Sequence, residues 1–122
     1  MHETAVVMGL IGILDRKAVE HRIARVSEVR VKLGRLRGLD ARQLVAVFEV
    51  LSEGGRAEGA RLVIDDVAVT AHCRACGHDF TVEGWQLACP ACGGDAVDVL
   101  TGRELHIESF DGVREAEAGK SG

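Results

Sequence analysis

Aromatic side chains are almost absent. The 122 residues hold three Phe, one Trp and no Tyr, about 3% in all. A core without rings must be assembled from Val, Leu, Ile and Ala, which bury less area per residue. A structural metal would help to offset that deficit. Long apolar runs are also missing: none approaches the roughly 18 residues needed to span a bilayer. The most apolar stretch, residues 5–14, has helical spacing. It lacks the preceding basic region and the following small-residue cleavage site of a secretory signal. The chain therefore reads as cytoplasmic, with no membrane partner. A basic excess is lacking too, because the net charge is −4, which argues against a dedicated nucleic-acid binder. No activated nucleophile, acid–base pair or phosphate loop stands out, so the chain is not expected to be an enzyme.

What is present is a globular composition, 47% hydrophobic and 28% charged, of a size for one domain or one domain with a small appendage. The charge is uneven. Residues 1–42 balance at +4 and residues 43–122 at −8. The basic third keeps a zinc-ribbon nucleic-acid-binding module in view as an alternative, alongside a zinc-stabilised protein adaptor.

Residues 4–20 predict an amphipathic helix, with Val7, Leu10, Ile11, Leu14 and Ala18 at offsets of three and four. Gly9 and Gly12 weaken it by up to about 1 kcal/mol each relative to Ala. Residues 27–33 predict a strand, because Val29, Val31 and Leu33 alternate with Glu28, Arg30 and Lys32. GRLRG at 34–38 reads as a loop. Residues 40–51 predict a second helix, with Asp40 as N-cap, Gln43 three residues on, and Leu44, Val47, Phe48 and Leu51 as its apolar stripe. A carboxylate at Asp40 also suggests a metal neighbour, but the cap accounts for it fully. Residues 61–70 read as one strand with a bulge at Asp65-Asp66, where the apolar parity slips. Residues 103–110 read as a third strand. The expected fold is α+β: a small three-stranded sheet with two helices on one face, plus an inserted four-cysteine zinc-ribbon subdomain. Residues 1–70 and 100–111 would form the main domain and 71–99 the zinc subdomain. Residues 112–122 would be a disordered tail.

Cys73, Cys76, Cys89 and Cys92 form two CxxCG knuckles with 12 residues between Cys76 and Cys89. A two-residue gap lets both thiolates of a pair turn toward one ion, and the following glycine permits the backbone to aim N–H groups at sulfur. Four thiolates suit tetrahedral Zn(2+) in a closed, structural site. Iron in a rubredoxin-like setting uses similar spacing. Between the knuckles, Phe80, Val82, Trp85 and Leu87 form the expected mini-core, too short to fold without metal. His72 and His78 read as histidines beside the metal loop, and His21 and His106 as surface or strand-face residues rather than ligands.

The amino terminus reads MHE. His2 is bulky, so Met1 is expected to stay. The Met1 amine, the His2 amide nitrogen and the His2 imidazole can close two fused chelate rings, and Glu3 can add a further ligand. Such a planar, nitrogen-rich set suits Ni(2+) or Cu(2+) rather than zinc. By residue type alone, His2 and Glu3 read first as ordinary solvated terminal residues, because an isolated His needs converging partners to bind metal.

MHE, the doubled CxxCG, VRVKLGRLRGLD, LVAVFEVLSEGGRAEGARLVIDDV and the late GRELHIESF occur in one order over residues 1–111. Together they resemble the HypA/HybF family of hydrogenase and urease nickel-incorporation metallochaperones. The resemblance implies a nickel site at Met1, His2 and Glu3, with Ni(2+) as cargo. It implies a structural zinc site at Cys73, Cys76, Cys89 and Cys92. The implied partners are a HypB-type GTPase and the [NiFe]-hydrogenase large-subunit precursor. Urease accessory proteins are further candidates.

Overall fold

A computed structural model describes residues 2–115, apart from the side chain of His2. The elements, in order, are α1 (His2–Glu20), β1 (Ile23–Gly34), a single 3-10 turn (Arg35–Arg37), α2 (Ala41–Leu51), β2 (Arg61–Val67), β3 (Thr70–Cys73), β4 (Asp79–Thr81), β5 (Val97–Thr101) and β6 (Leu105–Arg114). They form two three-stranded sheets, ordered β2-β1-β6 and β4-β3-β5. The chain divides into two compact units. The first comprises residues 1–32, 39–65 and 106–122, and the second residues 33–38 and 66–105.

The first unit follows the alternation in the sequence. Val29, Val31 and Leu33 of β1 are buried, while the intervening Glu28, Arg30 and Lys32 stay partly exposed. Their charges pair across the outer face. Arg30 bonds Asp111 at 3.2 Å and pairs with Glu28, and Lys32 reaches Asp65 at 2.8 Å and Glu108 at 3.4 Å. Those two carboxylates, Asp65 foremost, hold the Lys32 ammonium above its ordinary range. Helix α1 buries Val7, Leu10, Leu14 and Ala18, the face set by its spacing. It packs on α2, which buries Leu44 and Phe48. The Asp40 carboxylate accepts from the Arg42 N–H at 2.9 Å, so the expected cap is in place.

Two expectations change. Residues 61–70 are not one bulged strand. β2 ends at Val67 in the first sheet, and β3 begins at Thr70 in the second. The parity slip marks the passage from one unit to the other. Strand β6 also runs through Gly112 to Arg114, three residues into the stretch read as a tail. Residues 116–122, the remainder of that stretch, lie outside the described residues.

GRLRG is more than a connection. The Gly34 N–H donates to the Glu104 carbonyl at 2.7 Å, the Leu36 N–H to the Gly102 carbonyl at 2.9 Å, and Arg37 Nε to the Arg103 carbonyl at 2.8 Å. A Cβ on Gly34 would lie 2.1 Å from the carbonyl carbon and oxygen of Gly102. Backbone cannot step aside as a side chain can, so only glycine fits. Gly34→Ala is expected to cost at least about 3 kcal/mol of stability, the upper end of ordinary overpacking penalties. Denaturant melts monitored on the second unit would read this, and a cost below about 1 kcal/mol would contradict the close approach.

Candidate metal centre

The second unit has a small core. Val69, Ala71 and Val82 are buried, and Leu36, Phe80, Val97 and Val99 pack against them half-buried. Strand β3 is central, pairing antiparallel with both β4 and β5. Trp85 is not in this core. It is 73% exposed, and Leu87 is at the surface as well. Gly84, with φ of 64°, turns the chain there and leaves the indole facing solvent. The expected mini-core therefore keeps Phe80 and Val82 and loses Trp85 and Leu87. Its place is taken by residues of β3 and β5 and by Leu36.

Each knuckle is a tight backbone loop. The Gly77 N–H donates to the Cys73 carbonyl at 2.8 Å, and the Gly93 N–H to the Cys89 carbonyl at 2.7 Å. Both glycines are left-handed, with φ of 81° and 76°, which a side chain would strain. The Cys73 N–H donates to the His78 carbonyl and the Cys89 N–H to the Gly94 carbonyl, closing each loop. These turns bring all four sulfurs within 4.8 Å of one another. Cys73 Sγ lies 3.7 Å from Cys92 Sγ, and Cys76 Sγ lies 3.6 Å from Cys89 Sγ. A regular tetrahedron with metal–sulfur bonds of about 2.3 Å has edges of about 3.8 Å. The thiols are thus pre-arranged for one four-coordinate ion, and no disulfide links them.

The thiol chemistry agrees. The Cys76 N–H, directed at Cys73 sulfur, pulls that thiol down to about 7. Cys76 in turn receives the His78 N–H, yet the adjacent Cys89 sulfur and burial outweigh it and push Cys76 up to about 12. Cys92 is raised as well, because the Gly94 N–H that pulls it down is outweighed by the Cys73 sulfur, burial and the Cys89 sulfur together. Four crowded sulfurs cannot all shed their protons alone. A dication among them removes that conflict.

Among the described residues, no histidine joins this cluster. His72 Nδ1 sits 2.5 Å from an Asp79 carboxylate oxygen, and the His78 ring stacks on Phe80 with centroids 6.1 Å apart. His21 lies in the turn after α1, and His106 is exposed on β6. Among the described residues, the four cysteines are the only group of three or more potential ligands that converges.

At the other candidate site, Met1 and the side chain of His2 lie outside the described residues. The backbone of His2 begins α1. Glu3 Oε2 accepts from the Asp40 N–H at 3.4 Å, joining the first turn of α1 to the cap of α2. Its own backbone N–H first, and that of Asp40 second, hold the Glu3 carboxyl below the usual carboxylate range. Sequence reasoning weighed Asp40 as a helix cap against a carboxylate near the nickel end. The structure shows the cap and also brings the Asp40 N–H to Glu3.

The family described as "Hydrogenase/urease nickel incorporation, metallochaperone, hypA" matches residues 1–112. The chain belongs to the HypA family. The hydrogenase maturation factor HypA of Syntrophus aciditrophicus is 38% identical over 112 residues, covering 91% of this chain and 98% of that one. Its counterpart from Caldanaerobacter subterraneus is 35% identical with the same coverage. The solution structure of the Ni metallochaperone HypA from Helicobacter pylori superposes with a TM-score of 0.68 at 26% identity, covering 93% of this chain and 98% of that one. A second HypA solution structure gives a TM-score of 0.70 at 27% identity and covers 94% of this chain and 98% of that one. HypA membership thus extends across both units. No helix among the described residues is long and apolar enough to cross a membrane.

Proposed function

We propose that this chain is a nickel metallochaperone. It takes Ni(2+) as cargo at Met1, His2 and Glu3 and delivers it during maturation of [NiFe]-hydrogenase, with a HypB-type GTPase as partner and urease accessory proteins as a further outlet. It carries metal and catalyses no reaction. Family membership spanning both the MHE segment and all four cysteines carries this reading.

Local physics supports it. The first turn of an α-helix has no intrahelical acceptors for its N–H groups. A metal can therefore take the His2 amide nitrogen without breaking a helical bond. The positive end of the helix dipole opposes a cation by about 0.3–1 kcal/mol. The ionised Glu3 carboxylate, bonded at 3.4 Å to the Asp40 N–H, lies at the same helix end and offsets that opposition. Terminal ligands exchange readily, which suits delivery.

Cys73, Cys76, Cys89 and Cys92 would hold Zn(2+), which when bound supplies a structural cross-link. The thiol set fits it in number, chemistry and spacing. Cys73 and Cys89 are buried at 0% and 1% exposure and form the inner wall of the site, while Cys76 and Cys92 form the outer wall. With every position taken by sulfur, no ligand site remains for reacting water.

Titration of Ni(2+) into zinc-loaded protein tests the terminal site. The native amino terminus is expected to bind one equivalent with the absorption of a planar nickel centre. A two-residue extension ahead of Met1 converts the α-amine into an amide and is expected to lose that band. Equal binding by both forms would refute the site.

A further inference from the structure

Each of the two short sulfur–sulfur approaches joins an exposed cysteine to a buried one, and each contact is itself part-buried. Cys92 is exposed and faces buried Cys73 at 3.7 Å, and Cys76 is exposed and faces buried Cys89 at 3.6 Å. Two of the four cysteines are exposed, on a unit whose core has three buried apolar side chains.

We infer that the four-cysteine centre is also an oxidation site for hydroperoxides, in which exposed Cys76 and Cys92 are attacked and buried Cys89 and Cys73 resolve them into crossed disulfides. The inference rests on the zinc assignment above. Attack occurs where the peroxide can reach, at the outer sulfurs. The Cys92 thiolate displaces hydroxide from the peroxide O–O bond and becomes a sulfenic acid. The Cys73 thiolate then displaces the second hydroxide from that sulfur, forming the S–S bond. Two thiolate electrons pass to one peroxide, and two protons from water or buffer convert both hydroxides into water. The same sequence at Cys76 and Cys89 consumes a second peroxide. The new oxygen on an outer sulfur points to solvent, so the resolving thiolate approaches from the inner side, where the buried cysteines lie. With all four thiolates consumed, nothing holds the ion and it leaves.

Crossing matters. Links 73–92 and 76–89 tie one knuckle to the other, whereas 73–76 and 89–92 would leave the knuckles free of each other. The oxidised ribbon is therefore cross-linked without its metal, and dithiol reductant with Zn(2+) restores the original state.

The test starts from protein with measured zinc content. If purification yields no zinc with reduced thiols, the zinc assignment fails before any oxidant is added. Zinc-loaded protein receives two equivalents of hydrogen peroxide, with zinc release followed by a chromogenic chelator. One zinc per chain is expected to leave. Trypsin plus Glu-C cleavage, without reduction, then maps the bonds. Cleavage after Arg74, Glu83 and Arg103 places Cys73, Cys76 and the Cys89/Cys92 pair on three peptides. Crossed bonds hold all three peptides together. In-knuckle bonds join only two of them and leave the Cys89/Cys92 peptide separate. Fragmentation at Pro90 separates 73–92 with 76–89 from the opposite pairing. Retention of zinc, in-knuckle bonds, the opposite pairing or sulfinic acids without disulfides would each overturn the inference.

Discussion

His2→Ala is expected to lower nickel affinity at the amino terminus by more than about 100-fold. Removing an outer-shell partner alone costs about 10–100-fold at metal sites, and the proposed site makes His2 a direct ligand. The planar nickel absorption band should vanish with it. His21→Ala and His106→Ala serve as controls. Both lie outside any converging ligand group among the described residues and should titrate as the parent does. The variant should keep its zinc and its helical circular dichroism. Equal nickel affinity in His2→Ala and the parent would end the assignment.

The pH profile adds a second reading of the same site. Imidazole must be unprotonated to bind metal, so affinity should fall as pH drops below about 6.5. The Glu3 contact should not cause that fall. Its carboxyl is held below the usual carboxylate range, chiefly by backbone N–H groups. A depressed carboxylate stabilises the fold above its unfolded pKa and loses that contribution only as pH falls through its lower folded value. Between about pH 6.5 and the carboxylate range, nickel should leave while the α1–α2 contact stays intact. Nickel release that tracks a loss of helicity instead would mean that the site fails by unfolding.

Cys73→Ser carries the other large effect. Zinc should fall from one equivalent per chain to near zero, and the second unit should lose its amide protection. Cys73 is 0% exposed, so a hydroxyl there is buried beside three remaining thiols. Structural zinc contributes apparent free energies of about 10–16 kcal/mol in finger-sized units. A core of Val69, Ala71 and Val82 cannot replace that: full burial of a valine contributes at most about 3 kcal/mol and of an alanine less. Metal analysis and hydrogen exchange over residues 66–105 would follow both losses. A variant that keeps tight zinc, or a parent whose second unit stays protected after chelation with thiols reduced, would contradict the structural role.

Most of the first unit was legible because its elements are long. β1 alternates strictly from Val29 to Leu33, and α1 repeats its apolar positions from Val7 to Ala18. Asp40 announces α2 through a cap whose chemistry is local. The cysteine cluster was legible for the same reason, since a knuckle is a short-range motif. The proposed amino-terminal nickel site rests on chelate chemistry and family likeness, without any local pattern to distinguish its residues from solvated ones.

The second unit hid its architecture. β3, β4 and β5 have four, three and five residues, too short to establish a period. Leu62 to Ile64 on one side and Val67 and Val69 on the other flank Asp65-Asp66 with strand-forming side chains, so the slip there reads as a bulge in one strand rather than the end of one sheet. Trp85 misled because size suggests burial, whereas a turn at Gly84 carried it outward. GRLRG gave no sign of its partners, which lie more than 60 positions away at Gly102, Arg103 and Glu104.

That separation has a consequence during synthesis. Ribosomes add about 5–20 residues per second, so Gly34 waits several seconds for Gly102 to be made. All four thiols precede Gly102 in the chain. The emerging polypeptide thus carries its complete sulfur set before Gly102 exists, and the close approach of Gly34 to Gly102 is a later step of assembly.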